Sequence, residues 1–232
     1  MEELREVFGK YGITLNDVQI NQFEEYFSML IETNKVLHLT AITEEHDVLI
    51  KHFLDSVLAI NNFPKNAKVI DVGSGAGFPS IPLKIVRPDL QICMIDSLNK
   101  RVNFLNGVIQ KLNLNDISAE HFRAEDFAKK NREMFDVATA RAVASLNTLV
   151  EYLLPLVKIG GCAVIYKSSK LNDELKESEN AIKILGGKVE KVENFKISED
   201  GLERNILIIK KINHTPKNFP RDKNKPKTQP IK

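Results

Sequence analysis

Apolar positions along the chain follow two regimes, divided near residue 65. Before it they recur at helical spacing. Val18, Phe23, Phe27, Leu30 and Ile31 form one stripe that Thr14 or Asn16 is placed to cap. Val48, Leu49, Phe53, Val57, Leu58 and Ile60 form a second stripe, beginning after Thr43 and closed by Asn61-Asn62-Phe63-Pro64. The stretch between them, residues 34–40, fits neither period, and Asn34 and Thr40 read as helix caps. From residue 66 onward short apolar runs of the kind buried on both faces alternate with amphipathic stretches. The runs are Val69–Val72, Gln91–Ile95, Ile117–Phe122, Phe135–Ala140, Cys162–Tyr166, Val189–Phe195 and Arg204–Ile212, which predicts seven strands. Between them, Ser97 or Asn99 caps a helix carrying Val102, Phe104, Leu105, Val108, Ile109 and Leu112. Residues 123–126 read as a polar turn, Leu146–Val157 as a helix, Gly160-Gly161 as a turn, and Asp173–Leu185 as a helix stopped by Gly186-Gly187. The pattern is α/β, a seven-stranded, mostly parallel sheet with helices on both faces. It divides into an N-terminal helical extension over 1–65, a core over 66–212 and a tail over 213–232.

The chemistry concentrates where the first predicted strand ends. Val69–Leu83 reads VIDVGSGAGFPSIPL, a strand, a loop with glycine at 73, 75 and 77, and a helix whose first turn accommodates Pro79. A dinucleotide fingerprint is G-x-G-x-x-G around a pyrophosphate. Here the spacing is G-x-G-x-G and the loop follows Asp71, an acid that disfavours phosphate and suits a ligand carrying positive charge, such as S-adenosylmethionine. Asp96, at the end of the second strand, is placed to accept hydrogen bonds from two ribose hydroxyls. Residues 123–126 fall where an adenine would lie. Arg141 and Lys167, leaving the fourth and fifth strands, point to the same rim. His52 and Asp55 read first as a structural pair on one side of a helix, with Lys51 beside them.

Composition adds bounds. The 232 residues are 43% apolar, enough for one sizeable core. No apolar run is long enough to span a bilayer and no basic-then-apolar leader follows Met1, so a soluble cytoplasmic protein without membrane partners is expected. Cys93 and Cys162 sit in strand-like runs and are assigned no chemistry, and no metal site is expected. The net charge of +2 is uneven. Residues 213–232 hold six lysines and arginines against Asp222, a net +5, which leaves −3 on the rest. That tail is either a solvated end or a contact for a polyanion.

Together, Asn34 with Leu39-Thr40, Lys51-His52 with Asp55-Ser56, DVGSGAGFPSIPL, DSLNKRVNFL at 96–105, Arg123-Ala124-Glu125, TARAVASLNTL at 139–149 and Tyr166-Lys167 resemble the RsmG (GidB) family of class I S-adenosylmethionine-dependent methyltransferases. The resemblance covers nearly the whole chain. It implies a Rossmann-like methyltransferase fold and methylation of N7 of one guanosine in bacterial 16S ribosomal RNA, on the RNA or the 30S subunit. It also implies cofactor contacts from Gly73, Phe78, Ala124, Glu125 and Arg141, beside Asp71, Gly75 and Asp96 of the class pattern. Ser80 stands where the family usually has glycine, with little effect expected, and Lys51 stands where arginine is common.

Guanine N7 presents a free lone pair, so no catalytic base is required; Arg141 and Lys167 are candidates for positioning. Lys51, His52, Lys100, Arg101, Arg123, Lys167 and Arg221 are candidate RNA contacts. Removing residues 213–232 is expected to weaken RNA binding and leave cofactor affinity intact. A monomer is expected. Two other functions share these features: a methyltransferase acting on a small molecule, and a non-catalytic RNA-binding ribosome-assembly factor.

Overall fold

The computed structural model describes residues 2–141, 144–167, 171–197 and 203–232. Helix α1 (Glu2–Lys10) leads to α2 (Asp17–Leu37), where Asn16 forms a reciprocal capping box with Gln19. The second predicted helix is broken into α3 (Glu45–Val48), a π-helical turn at Leu49–Leu54, and α4 (Asp55–Val57). Asn34 and Thr40 do not cap. The Asn34 amide lies within α2 and holds the Thr40 backbone with two hydrogen bonds of 2.9 Å, fixing the loop between the helices.

The core alternates β1 (Lys68–Val72), α5 (Ser80–Val86), β2 (Gln91–Asp96), α6 (Asn99–Lys111), β3 (Ile117–His121), α7 (Ala124–Lys130), β4 (Phe135–Arg141), α8 (Leu146–Leu153), β5 (Val157–Lys167), α9 (Leu171–Ile184), β6 (Gly187–Lys196) and β7 (Glu203–Lys211). Among the described residues the sheet has seven strands in the order β3-β2-β1-β4-β5-β7-β6. β1 to β5 are parallel, and β7 enters antiparallel between β5 and β6. The order reverses beside β1, so β1 and β4 part at their carboxyl ends and leave a crevice there. The apolar core lies in two layers, one under α1, α2 and the broken helix, the other under α7, α8 and α9.

Three local expectations are corrected. α6 has Leu98 at its N-cap with no side-chain cap; neither Ser97 nor Asn99 serves, because the Asp96 carboxylate takes the Leu98 N–H at 2.9 Å. Gly160 and Gly161 do not end an element: β5 runs through them, with a register shift against β4 that Gly160 accommodates at a φ of 85°. Residues 123–126 are not a turn, since Arg123 begins α7 with extended backbone. Residues 213–232 are not a loose end. Thr215, Pro220 and Pro226 are buried, and the short helix α10 (Lys225–Thr228) closes back on α8.

Candidate active site

Gly73, Gly75 and Gly77 all take positive φ, at 74°, 59° and 103°, so the loop after β1 turns where other residues would be strained. At Gly77 space matters as well. A Cβ would meet Ile81 Cγ1 at 2.7 Å, the Tyr26 hydroxyl at 2.8 Å and Leu105 Cδ2 at 2.9 Å. Tyr26, fully buried on α2, donates to the Ala76 carbonyl at 2.6 Å and so ties the helical extension to the loop.

Two cavities open at the carboxyl ends of the strands. The first, of about 200 Å³, is bounded by Gly73, Asp96, Ser97, Phe122, Arg123, Ala124 and Glu125, with Thr148 and Tyr152 of α8 on the far side. The buried Asp96 carboxylate is held by the Gly75 N–H at 2.9 Å and the Leu98 N–H at 2.9 Å, with Arg101 at 3.4 Å. Oδ2 takes Gly75 and Arg101 and Oδ1 takes only Leu98, so Oδ1 keeps acceptor capacity for a ribose hydroxyl. Asn224 and Lys227 of the tail also line this space, two residues that no local pattern marks.

Asp71 is placed differently from expectation. It is fully buried beneath the loop and outside both cavities, taking a hydrogen bond of 2.8 Å from the Ser80 hydroxyl on Oδ2, while Oδ1 has no hydrogen-bond partner. Burial raises its pKa to about 7 against the lowering effect of Ser80, Ser74 and Arg141. Ser80, where the family usually has glycine, is thus the residue that donates to this acid.

The second cavity, of about 370 Å³, is lined by Ile42, Lys51, His52, Asp55, Arg141, Tyr166, Lys167, Glu174 and Arg204. Arg141 lines this cavity and not the first. Its guanidinium lies over the Phe78 ring at 4.7 Å, donates to Asp55 Oδ2 at 2.8 Å and reaches His52 Nδ1 at 3.1 Å. His52 and Asp55 do not pair with each other; Arg141 bridges them. The wider π-helical turn between them removes the side-by-side placement that three residues give on an α-helix.

His52 Nδ1 lies 3.1 Å from both the Arg141 guanidinium and the Lys51 carbonyl oxygen, and Nε2 lies 2.8 Å from the Thr40 hydroxyl. The ring stacks on Phe78 at 4.5 Å. Burial, and then Arg141, push the His52 pKa down to about 3, so the imidazole is neutral at physiological pH. Phe78 lines neither cavity. It is packed among His52, Arg141 and Tyr26.

The remaining cations are mostly committed. Lys51 pairs with Asp47 at 2.7 Å. Lys167 is largely buried, donating to Glu174 at 2.6 Å and to the Ala144 carbonyl at 2.9 Å. Ala144 also lines the first cavity, so this bond joins a residue of one cavity to a residue of the other. Arg221, expected at RNA, instead clasps the fully buried Glu151 of α8 through Nε at 2.9 Å and Nη2 at 2.7 Å. Lys100 is exposed, and Arg123 lies between the first cavity and a basic shelf with Lys129 and Lys130. Of the run at 139–149, Ala142 and Val143 lie outside the described residues. Burial raises the thiols to about 12 at Cys93 and about 11 at Cys162, leaving both protonated.

A family profile described as GidB, rRNA small subunit methyltransferase G, matches residues 19–207. The chain belongs to this family. The ribosomal RNA small subunit methyltransferase G of Bacillus cytotoxicus is 46% identical over 235 residues, covering 100% of this chain and 98% of its own. The Bacillus cereus protein of the same name has the same identity and coverage. Among solved structures, a putative transferase from Pyrococcus horikoshii aligns with a TM-score of 0.56 at 20% identity, over 67% of this chain and 61% of its own. A putative rRNA-methylase from Clostridium thermocellum aligns at 0.52 and 13% identity, over 69% and 95%. At such identities they show the fold, the α/β methyltransferase architecture derived above. Among the described residues no helix is long and apolar enough to cross a membrane, and no cluster of three metal-ligating side chains occurs.

Proposed function

We propose that the protein transfers a methyl group from S-adenosylmethionine to N7 of a guanosine in 16S ribosomal RNA of the small subunit, acting as a monomer in the cytoplasm. The observation that carries this reading is the pair of adjoining cavities. One holds the buried Asp96 carboxylate, and in the other Lys51, Arg141, Lys167 and Arg204 stand beside Asp55, Glu174 and a neutral His52. The residues present fit the cofactor. Asp96 suits the ribose, residues 122–125 suit the adenine, and the buried Asp71 under the loop leaves Oδ1 without a hydrogen-bond partner.

Bound there, the cofactor supplies an electrophilic methyl on a sulfonium. The protein's part is alignment and exclusion of water, because N7 needs no deprotonation. Arg141, fixed on three sides by Asp55, His52 and Phe78, presents a rigid edge for positioning the base or its phosphate. Neutral His52 adds no charge against the cationic purine that forms. Since N7 lies in the deep groove of A-form RNA, the target must be unstacked to reach the second cavity. The test is transfer of labelled methyl to small-subunit RNA, naked and as 30S particles, from cells lacking this protein. Label recovered as 7-methylguanosine at one site is expected; no label in any RNA form, with cofactor binding intact, would overturn the proposal.

A further inference from the structure

The tail is joined to the core by bonds that a solvated end would not have. Arg132 of the β4 approach donates to the Thr215 carbonyl at 2.7 Å and to that of Phe219, and the Thr215 hydroxyl donates to the Leu185 carbonyl at 2.7 Å. Arg221 offers Glu151 its backbone N–H at 2.8 Å as well as its guanidinium, and the same guanidinium reaches the Gln229 carbonyl at 2.8 Å. Thr148, one helical turn before Glu151, donates to the Pro226 carbonyl at 2.9 Å.

Glu151 is fully buried on a helix whose described neighbours are all buried. Without Arg221 it would be an uncompensated interior charge, which is strongly destabilising. The chain from 221 to 229 is therefore drawn onto α8, and this brings Asn224 and Lys227 to the mouth of the cavity that holds Asp96 and Glu125.

From this we infer that the C-terminal segment is the outer wall of the cofactor cavity, with Asn224 and Lys227 as binding residues for the adenosyl half of the cofactor and the Arg221–Glu151 pair as the clamp that seats them. The inference rests on the proposed reaction, which supplies the ligand. It replaces the expectation that removing residues 213–232 leaves cofactor affinity unchanged. Asn224 has a φ of 60°, so glycine there keeps the backbone and removes only the side chain. Lys227 is exposed, so methionine there removes only the charge.

Calorimetric titration with S-adenosylhomocysteine is the test, run on the full chain, on Asn224→Gly, on Lys227→Met, and on a chain ending at Asn213 that also carries Glu151→Leu so that Glu151 is not left as an unpaired buried charge. The expected result is a loss of affinity of about tenfold or more in the shortened chain and severalfold in each point variant, with unchanged thermal unfolding in the two point variants. Equal affinity in the point variants and in a folded shortened chain would overturn the inference and leave the proposed reaction standing. Failure of the unaltered full chain to bind would remove both.

Discussion

Replacing Asp71 by asparagine separates the stability cost of a buried acid from its use. The carboxyl has an ordinary pKa of 3.8 and is held at about 7, chiefly by burial. Between those values the folded protein binds the proton that the unfolded chain has released, so this group's contribution to stability falls as pH rises through the window and is lost above about 7. The difference corresponds to about 4 kcal/mol at full ionisation. Asparagine keeps an oxygen for the Ser80 hydroxyl but places an amide where Oδ1 has no partner, which costs about 1–3 kcal/mol. The groups acting on the acid are Arg141 on β4, Asp96 on β2 and Ser74 in the loop. Tyr26 on α2, Tyr166 on β5 and Cys93 on β2, all protonated, respond to it in turn. The expected outcome is that Asp71→Asn is more stable than the unaltered protein at pH 8.5, by about 2 kcal/mol, and no more stable at pH 5. Urea unfolding at pH 5, 7 and 8.5 measures this, and binding of S-adenosylmethionine should weaken in the same variant. Parallel stability profiles across the three pH values would refute the argument.

Ser80→Ala should destabilise by about 1–2 kcal/mol at pH 8 and less at pH 5, since it removes the hydroxyl that solvates the Asp71 carboxylate; urea unfolding at both pH values decides it. Gly77→Ala should cost more than about 2 kcal/mol and abolish cofactor binding, because its Cβ enters space held by Ile81, Tyr26 and Leu105; thermal unfolding and calorimetry check both parts. Arg141→Lys keeps the charge and loses the fork onto Asp55 and His52, so methyl transfer should fall about tenfold or more with S-adenosylhomocysteine affinity unchanged. A matching loss of affinity would return Arg141 to the first cavity.

The central strands β1, β2 and β4 were readable because parallel strands buried on both faces leave continuous apolar runs, and the loop because three positive-φ positions demand glycine. What sequence reasoning missed depends on partners far apart in the chain. Glu151 stands in an apolar helical stretch and Arg221 lies 70 residues on, and neither signals the other. The isolated acid among Leu149, Val150, Leu153 and Leu154 was the only local trace of the clamp. The π-helical turn at Leu49–Leu54 is invisible to a periodicity argument, because its apolar residues satisfy an ordinary helix equally well. Arg141 was placed at the right end of the right strand, but which of two adjoining cavities it enters is set by Asp55 and Phe78, from elsewhere in the chain.

That placement answers an electrostatic objection to the proposed chemistry. Methylation at N7 leaves the purine positively charged, and a cavity of free guanidinium and ammonium groups would repel it. The second cavity is not of that kind. Arg141 lies 2.8 Å and Arg204 3.2 Å from opposite oxygens of Asp55, Lys167 lies 2.6 Å from Glu174, and Lys51 is paired with Asp47. His52, which would add another charge if it titrated normally, is held neutral by burial beside Arg141. The cavity therefore offers many donors with much of their charge already offset. Such a lining can orient a base and its phosphate through hydrogen bonds while adding less repulsion as the methyl moves across. Removing the offset should expose the cost. An Asp55→Asn variant would leave Arg141 and Arg204 unneutralised, and its methyl-transfer rate should fall while S-adenosylhomocysteine affinity in the separate first cavity holds.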